Sequence, residues 1–166
     1  MVEVKGLSFK YSPSGPDILR DVSFAIEDGQ CAAVLGNNGA GKTTLLKCID
    51  RILQPGAGEG VMRKEYAAQP GAGEVRVDGD NVLSLGRREL AKRVAYVAQN
   101  ARAADMTVYD TVLLGRRPYI GWDATEHDRE VVAEVMELMG VTPLALRSLA
   151  ELSGGEAQKV MLARAL

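Results

Sequence analysis

The sequence predicts an α/β fold with an antiparallel β portion ahead of a central nucleotide-sized anion loop and an α-helical portion after it. Three observations carry this. A glycine-rich stretch, Gly36-Asn37-Asn38-Gly39-Ala40-Gly41-Lys42-Thr43-Thr44, joins a short apolar run to a helix-periodic one. The first 30 residues alternate apolar and polar as half-buried strands do. From residue 100 to 152 the apolar spacing is helical.

In chain order, Val2 and Val4, then Leu7, Phe9 and Tyr11, form the first alternating series. Ser12-Pro13-Ser14-Gly15-Pro16 turns the chain, and Val22, Phe24 and Ile26 alternate again. Residues 31–35 (Cys-Ala-Ala-Val-Leu) are expected as a fully buried strand, and 45–53 as a helix with Leu45, Leu46, Ile49, Ile52 and Leu53 at helical spacing. Gln54-Pro55-Gly56-Ala57-Gly58-Glu59 recurs as Gln69-Pro70-Gly71-Ala72-Gly73-Glu74; removing one period leaves a connection of ordinary length, so 54–73 is expected as a surface insertion from a local duplication. A short strand begins at Glu74, a short charged helix spans 87–92, and 94–98 (Val-Ala-Tyr-Val-Ala) is expected as a second buried strand. Helices are then expected over 107–114 and 126–139, the second with Val131, Val132, Val135, Leu138 and Met139 on one face, Thr125 and Asp128 at capping-box spacing and Gly140 as C-cap. Thr142-Pro143 opens another short helix. Ser153 and Glu156 have capping-box spacing at the head of a last helix.

Composition sets limits. At 166 residues, 46% hydrophobic and 25% charged, the chain fits one domain, or a domain with a small subdomain. The formal net charge of −2 offers no basic footprint for nucleic acid. No apolar run approaches the roughly 18 residues a membrane-spanning helix needs. Cys31 and Cys48 match no metal spacing and are read as small buried residues. His127, the sole histidine, lies in a charged stretch and is read as solvated, and Trp122 as packing or a contact edge.

The chemistry starts at 36–44, which reads G-x-x-x-x-G-K-T. A glycine-rich turn of no function is the bland alternative; the flanking strand and helix patterns favour a phosphate-binding loop. Bare N–H groups at a helix start carry partial positive charge, and glycines let the backbone wrap an anion. Lys42 would reach the β- and γ-phosphates of a nucleoside triphosphate, and the Thr43 hydroxyl would ligate Mg²⁺. The last helix, with Gly154 and Gly155 in its first turn, is a second anion-ready terminus.

The phosphate loop together with Leu152-Ser153-Gly154-Gly155-Glu156, and Gln99 between them, resembles the ATP-binding subunits of ABC transporters, from residue 1 to 166 apart from the inserted period. The resemblance implies a P-loop NTPase core with an antiparallel β subdomain over 1–99, a helical subdomain over 100–152, and over 153–166 the signature motif and the start of the helix returning to the core. It implies ATP and Mg²⁺ as cofactors. Tyr11 is similar to the aromatic residue that stacks on adenine, a strand-end tyrosine being the alternative. Gln99 resembles the glutamine that contacts Mg²⁺ and the attacking water. Ser153, Gly154, Gly155 and Glu156 resemble the signature that meets ATP bound by a second, head-to-tail subunit. Residues 106–119 are similar to the helical subdomain of importers for metal chelates (ferric siderophores, haem, cobalamin), where that region meets a membrane permease. The expected partners are therefore a second ATP-binding subunit, a permease and, indirectly, a substrate-binding protein, at the cytoplasmic face of the membrane.

Against that pattern, residues 1–166 hold no apolar strand ending in Asp-Glu after the signature helix, and no switch histidine there. The expectation is a core incomplete at its C-terminus, a fragment that grips ATP and hydrolyses it very slowly. A soluble ABC-type ATPase of DNA repair or translation, or a non-catalytic nucleotide-binding remnant, stays open as an alternative. A small-molecule kinase would not need the motif at 152–156.

Overall fold

The computed structural model describes residues 1–12, 14–53, 73–98 and 105–166. The duplicated loop at 54–72 and Gln99 lie outside them. The chain divides into two compact units, Met1–Arg93 and Val94–Leu166.

In the first unit the alternating stretches form the predicted antiparallel sheet. Strand β1 (Val2–Phe9) pairs with β2 (Leu19–Ile26) on one side and β3 (Glu74–Val77) on the other, and β4 (Asp80–Asn81) pairs with β3, giving the order β2-β1-β3-β4. Val4 stands opposite Phe24 on one neighbour and Val75 on the other. The buried side chains of β1 are Val4, Leu7 and Phe9, so burial changes phase between 4 and 7. The register against β2 slips at that same place. A bulge adds a residue to one strand and flips the facing of all that follow. This is why the sequence carries two apolar series in β1, one on even positions and one on odd.

Helix α1 (Lys42–Ile49) follows the glycine-rich loop, burying Thr44, Leu45 and Cys48. It stops four residues short of the apolar pattern. Leu46 and Ile52 are about half exposed, and Arg51 takes a left-handed conformation, φ 55°. The Arg51 guanidinium donates to the Leu85 carbonyl at 2.6 Å and to the Val82 carbonyl at 3.3 Å, tying the helix end to the connection after β4. Helix α2 (Arg87–Ala91) buries Leu90.

Two expectations are corrected. Residues 31–35 form no ladder with any described residue and lie exposed, Leu35 at 89%. Residues 94–98 likewise form no strand and are at most half-buried. Their composition suits a doubly covered strand, but a buried strand needs ladder partners at its edges and layers on its faces. The described residues give these two segments neither. Cys31 is consequently exposed, whereas Cys48 is buried as expected.

The second unit is helical: α3 (Val108–Leu113) continued by a 3-10 turn (Leu114–Arg116), α4 (Glu126–Leu138), 3-10 turns at Thr142–Leu144 and Leu149–Glu151, and α5 (Gly154–Ala165). Its core is Val108, Val112, Val132, Met136, Val141, Leu149, Val160 and Ala163. On α4 the buried positions are Val132 and Met136, while Leu138 is 75% exposed; the predicted apolar face is narrower and rotated toward Met136. Trp122 is fully exposed and makes no packing contribution to this core. His127 is exposed too, 3.8 Å from Glu130.

Candidate functional site

The loop at 36–44 is shaped by backbone that only glycine tolerates well. Gly41, the residue preceding α1, has φ 86°. A Cβ there would also lie 3.0 Å from the Ile18 carbonyl and 3.1 Å from Leu19 Cδ2, so the position is closed to side chains on two counts. No side chain caps α1. Its first-turn N–H groups and positive end therefore face the exposed loop, as an anion site requires.

Lys42, the first residue of α1, folds back over the loop. Its ammonium donates to the Gly36 carbonyl at 2.7 Å and the Asn37 carbonyl at 2.8 Å. The Ala40 N–H donates to the Asn37 carbonyl at 3.2 Å, closing a turn across Asn38 and Gly39. The structure thus brings Gly36, Asn37, Ala40, Gly41 and Lys42 into one cradle with a mobile-length cation at its rim. Thr43 is exposed in the first turn and Thr44 is buried.

Tyr11 comes to the same place from the sheet. Its hydroxyl lies 2.9 Å from Thr44 Oγ1, and its ring meets Phe9 edge-on, centroids 5.1 Å apart. The sequence marked Tyr11 and Thr44 separately but offered no sign of the bond between them. A contact across 33 positions leaves no local pattern.

Mg²⁺ fits the donors present. It holds its own waters tightly and is commonly bound by one or two protein oxygens plus phosphate oxygens. Thr43 supplies an exposed hydroxyl beside the cradle. Among the described residues no three His, Cys, Asp or Glu side chains gather to hold a metal without a ligand's help.

In the second unit the signature stretch has the predicted capping box. The Glu156 N–H donates to Ser153 Oγ, and the Glu156 carboxylate accepts from the Ser153 N–H at 2.9 Å and its hydroxyl at 2.6 Å. Those bonds hold the Glu156 carboxyl below its ordinary range. Ser153, Gly154 and Gly155 are exposed at the head of α5. A feature the sequence hinted at only through Thr125 and Asp128 is the anchor of α4. Asp128 accepts from the Thr125 N–H and hydroxyl, and from Arg116 Nε and Nη2, each at 3.1 Å; Arg116 also lies 4.1 Å over the Tyr119 ring.

Comparison with known proteins agrees with this geometry. The ABC transporter family profile matches residues 19–166. An uncharacterized ABC transporter ATP-binding protein of Methanocaldococcus jannaschii is 41% identical over 166 residues, covering all of this chain and 59% of that protein. The cobalamin import ATP-binding protein of Halobacterium salinarum is 37% identical, over 99% of this chain and 37% of its own length. Among solved structures, a dimeric bacterial ABC transporter cassette superposes with a TM-score of 0.76 at 25% identity, covering all of this chain and 69% of the cassette. The chain thus spans little more than half, or less, of these two curated relatives, and throughout that span it belongs to the ABC transporter family, as a P-loop ATP-binding subunit.

Proposed function

We propose that residues 1–166 bind MgATP and act as part of the motor subunit of an ABC importer. The observation that carries the reading is the cradle at 36–44: an uncapped helix start, a left-handed Gly41 and a lysine ammonium that already bonds two loop carbonyls at its rim. A triphosphate entering the cradle offers Lys42 charged oxygens in exchange for those neutral carbonyls, and charge-assisted bonds are about twice as strong. In this reading Gly36, Asn37, Asn38, Gly39, Ala40, Gly41, Lys42, Thr43 and Thr44 hold the phosphates, and Tyr11 offers its half-exposed ring to adenine. Thr43 and Gln99 face Mg²⁺, whose charge would neutralise the β- and γ-oxygens. Ser153, Gly154, Gly155 and Glu156 present the α5 N-terminus to ATP held by a second subunit. The dimeric cassette it resembles supports that last assignment. We assign none of these residues the role of polarising water, so the proposal for this stretch is grip rather than turnover.

The importer reading extends to a metal chelate, of which cobalamin is the example among the similar proteins, with iron-siderophore and haem in the same class. No described helix is long and apolar enough to cross a membrane. Attachment to the cytoplasmic face through a permease is therefore part of the proposal.

Calorimetric titration of the full chain with MgATP tests the central claim. Binding is expected, weakened about 10-fold or more by Lys42→Ala. A wild-type chain that takes up no MgATP, or an unchanged Lys42→Ala affinity, would overturn it. Co-purification with a permease tests the importer assignment separately.

A further inference from the structure

The Tyr11 ring is held at two points. One edge meets Phe9 at an interplanar angle of 89°, and Phe9 is fixed in the sheet core at 3% exposure. The hydroxyl shares a hydrogen bond with Thr44 Oγ1 at 2.9 Å. Thr44 belongs to α1 and is 6% exposed, yet the ring it tethers stays 49% exposed. A buried threonine hydroxyl needs a partner, and in a helix the carbonyl one turn back is the usual choice. Here the partner is a side chain from the end of another strand, so the bond ties the aromatic face to the helix that carries the phosphate loop.

We propose that Thr44 is a positioning residue for the nucleoside: through the Tyr11 hydroxyl it locks the ring as a stacking platform beside the cradle, and so favours nucleoside triphosphates over bare polyphosphate. The proposal rests on reading 36–44 as the phosphate cradle and Tyr11 as the base platform. A ring whose rotamer is fixed before the ligand arrives adds no ordering cost to binding. A phenylalanine at position 11 would keep the stacking face and the contact with Phe9, but would turn freely about its own bonds. The loss should therefore fall on ligands that carry a base and spare those that do not. Bases present a π-face to any such platform, so the gain applies to the nucleoside class as a whole.

The test titrates the full chain with MgATP and with magnesium tripolyphosphate, and reads the ratio of the two affinities. Tyr11→Phe and Thr44→Val are each expected to lower that ratio about 3- to 10-fold, the scale of one neutral hydrogen bond. The double variant should fall no further than either single one, because both remove the same bond. Thr44→Ser, which keeps the hydroxyl, should restore the wild-type ratio. A merely structural role would weaken both ligands alike and leave the ratio unmoved, which would overturn the proposal. So would losses that add in the double variant, or a Thr44→Ser ratio as low as that of Thr44→Val. A wild-type chain that binds neither ligand removes the cradle reading and this proposal with it. Tripolyphosphate binding without preference for ATP leaves the cradle standing and removes the platform.

Discussion

Cys31 and Cys48 have the same side chain and opposite environments. Cys48 is 1% exposed on α1, and burial pushes its thiol up to about 12. Cys31 is exposed in the segment leading to the phosphate loop. Since the thiolate is the nucleophile, burial protects Cys48 twice, by removing access and by suppressing ionisation. Brief treatment of the native chain with iodoacetamide at pH 8 is expected to label Cys31 alone, with a second adduct appearing only after denaturation. Mass mapping checks this; native labelling of Cys48 would contradict the packing of α1. Position in sequence could not separate the two, because both sit in apolar runs.

At the scale of elements, the helical unit depends on one close crossing. A Cβ at Gly115 would lie 2.1 Å from the Arg164 carbonyl oxygen, so the turn after α3 touches the last turn of α5 backbone to backbone. Glycine is required by space here, its φ not being left-handed. Gly115→Ala should force the elements apart and cost about 1–3 kcal/mol, as overpacking of a close contact does. Thermal unfolding should show a lower melting temperature, and an unchanged one would mean that the crossing can open freely. Capping boxes fix where α4 and α5 begin, at Thr125 and Ser153, and both were legible three residues at a time. The close crossing was not, since nothing near Gly115 in sequence names Arg164.

For the molecule as a whole, several carboxylates are held charged by their partners. Glu74 is lowered by Arg76, Glu89 by Lys92, Asp128 by Thr125 and then Arg116, and Glu156 by Ser153. A carboxyl whose folded value lies below its unfolded one stabilises the fold above the unfolded value, and that stability is lost as pH falls through the folded one. The ordinary values are 3.8 for Asp128 and 4.5 for the glutamates. Asp50 works the other way: burial raises it, so its cost at neutral pH is relieved on acidification. The four lowered groups outnumber it among the described residues. The melting temperature is expected to hold from pH 7 to about 5 and to drop below about 4.5. A curve flat to pH 3 would show that these partners do not hold their carboxylates in solution.

Local chemistry let the sequence alone determine a good part of this protein. The glycine spacing at 36–44, the capping pairs at 125–128 and 153–156, the alternation in β1 and β2 and the helical period over 126–138 each depend on neighbours a few residues apart. That was enough for the fold class and for the family. Tertiary structure decided what distant residues do to each other. It placed the Tyr11 hydroxyl on Thr44, made Gly41 obligatory through Ile18, set Arg116 on Asp128 and ended α1 through Arg51. It also overruled the reading of 31–35 and 94–98 as buried strands. An apolar run states only that a segment can be covered; whether partners stand on both sides of it depends on residues elsewhere in the chain, and hydrogen-bonded pairing is a property of two segments rather than one.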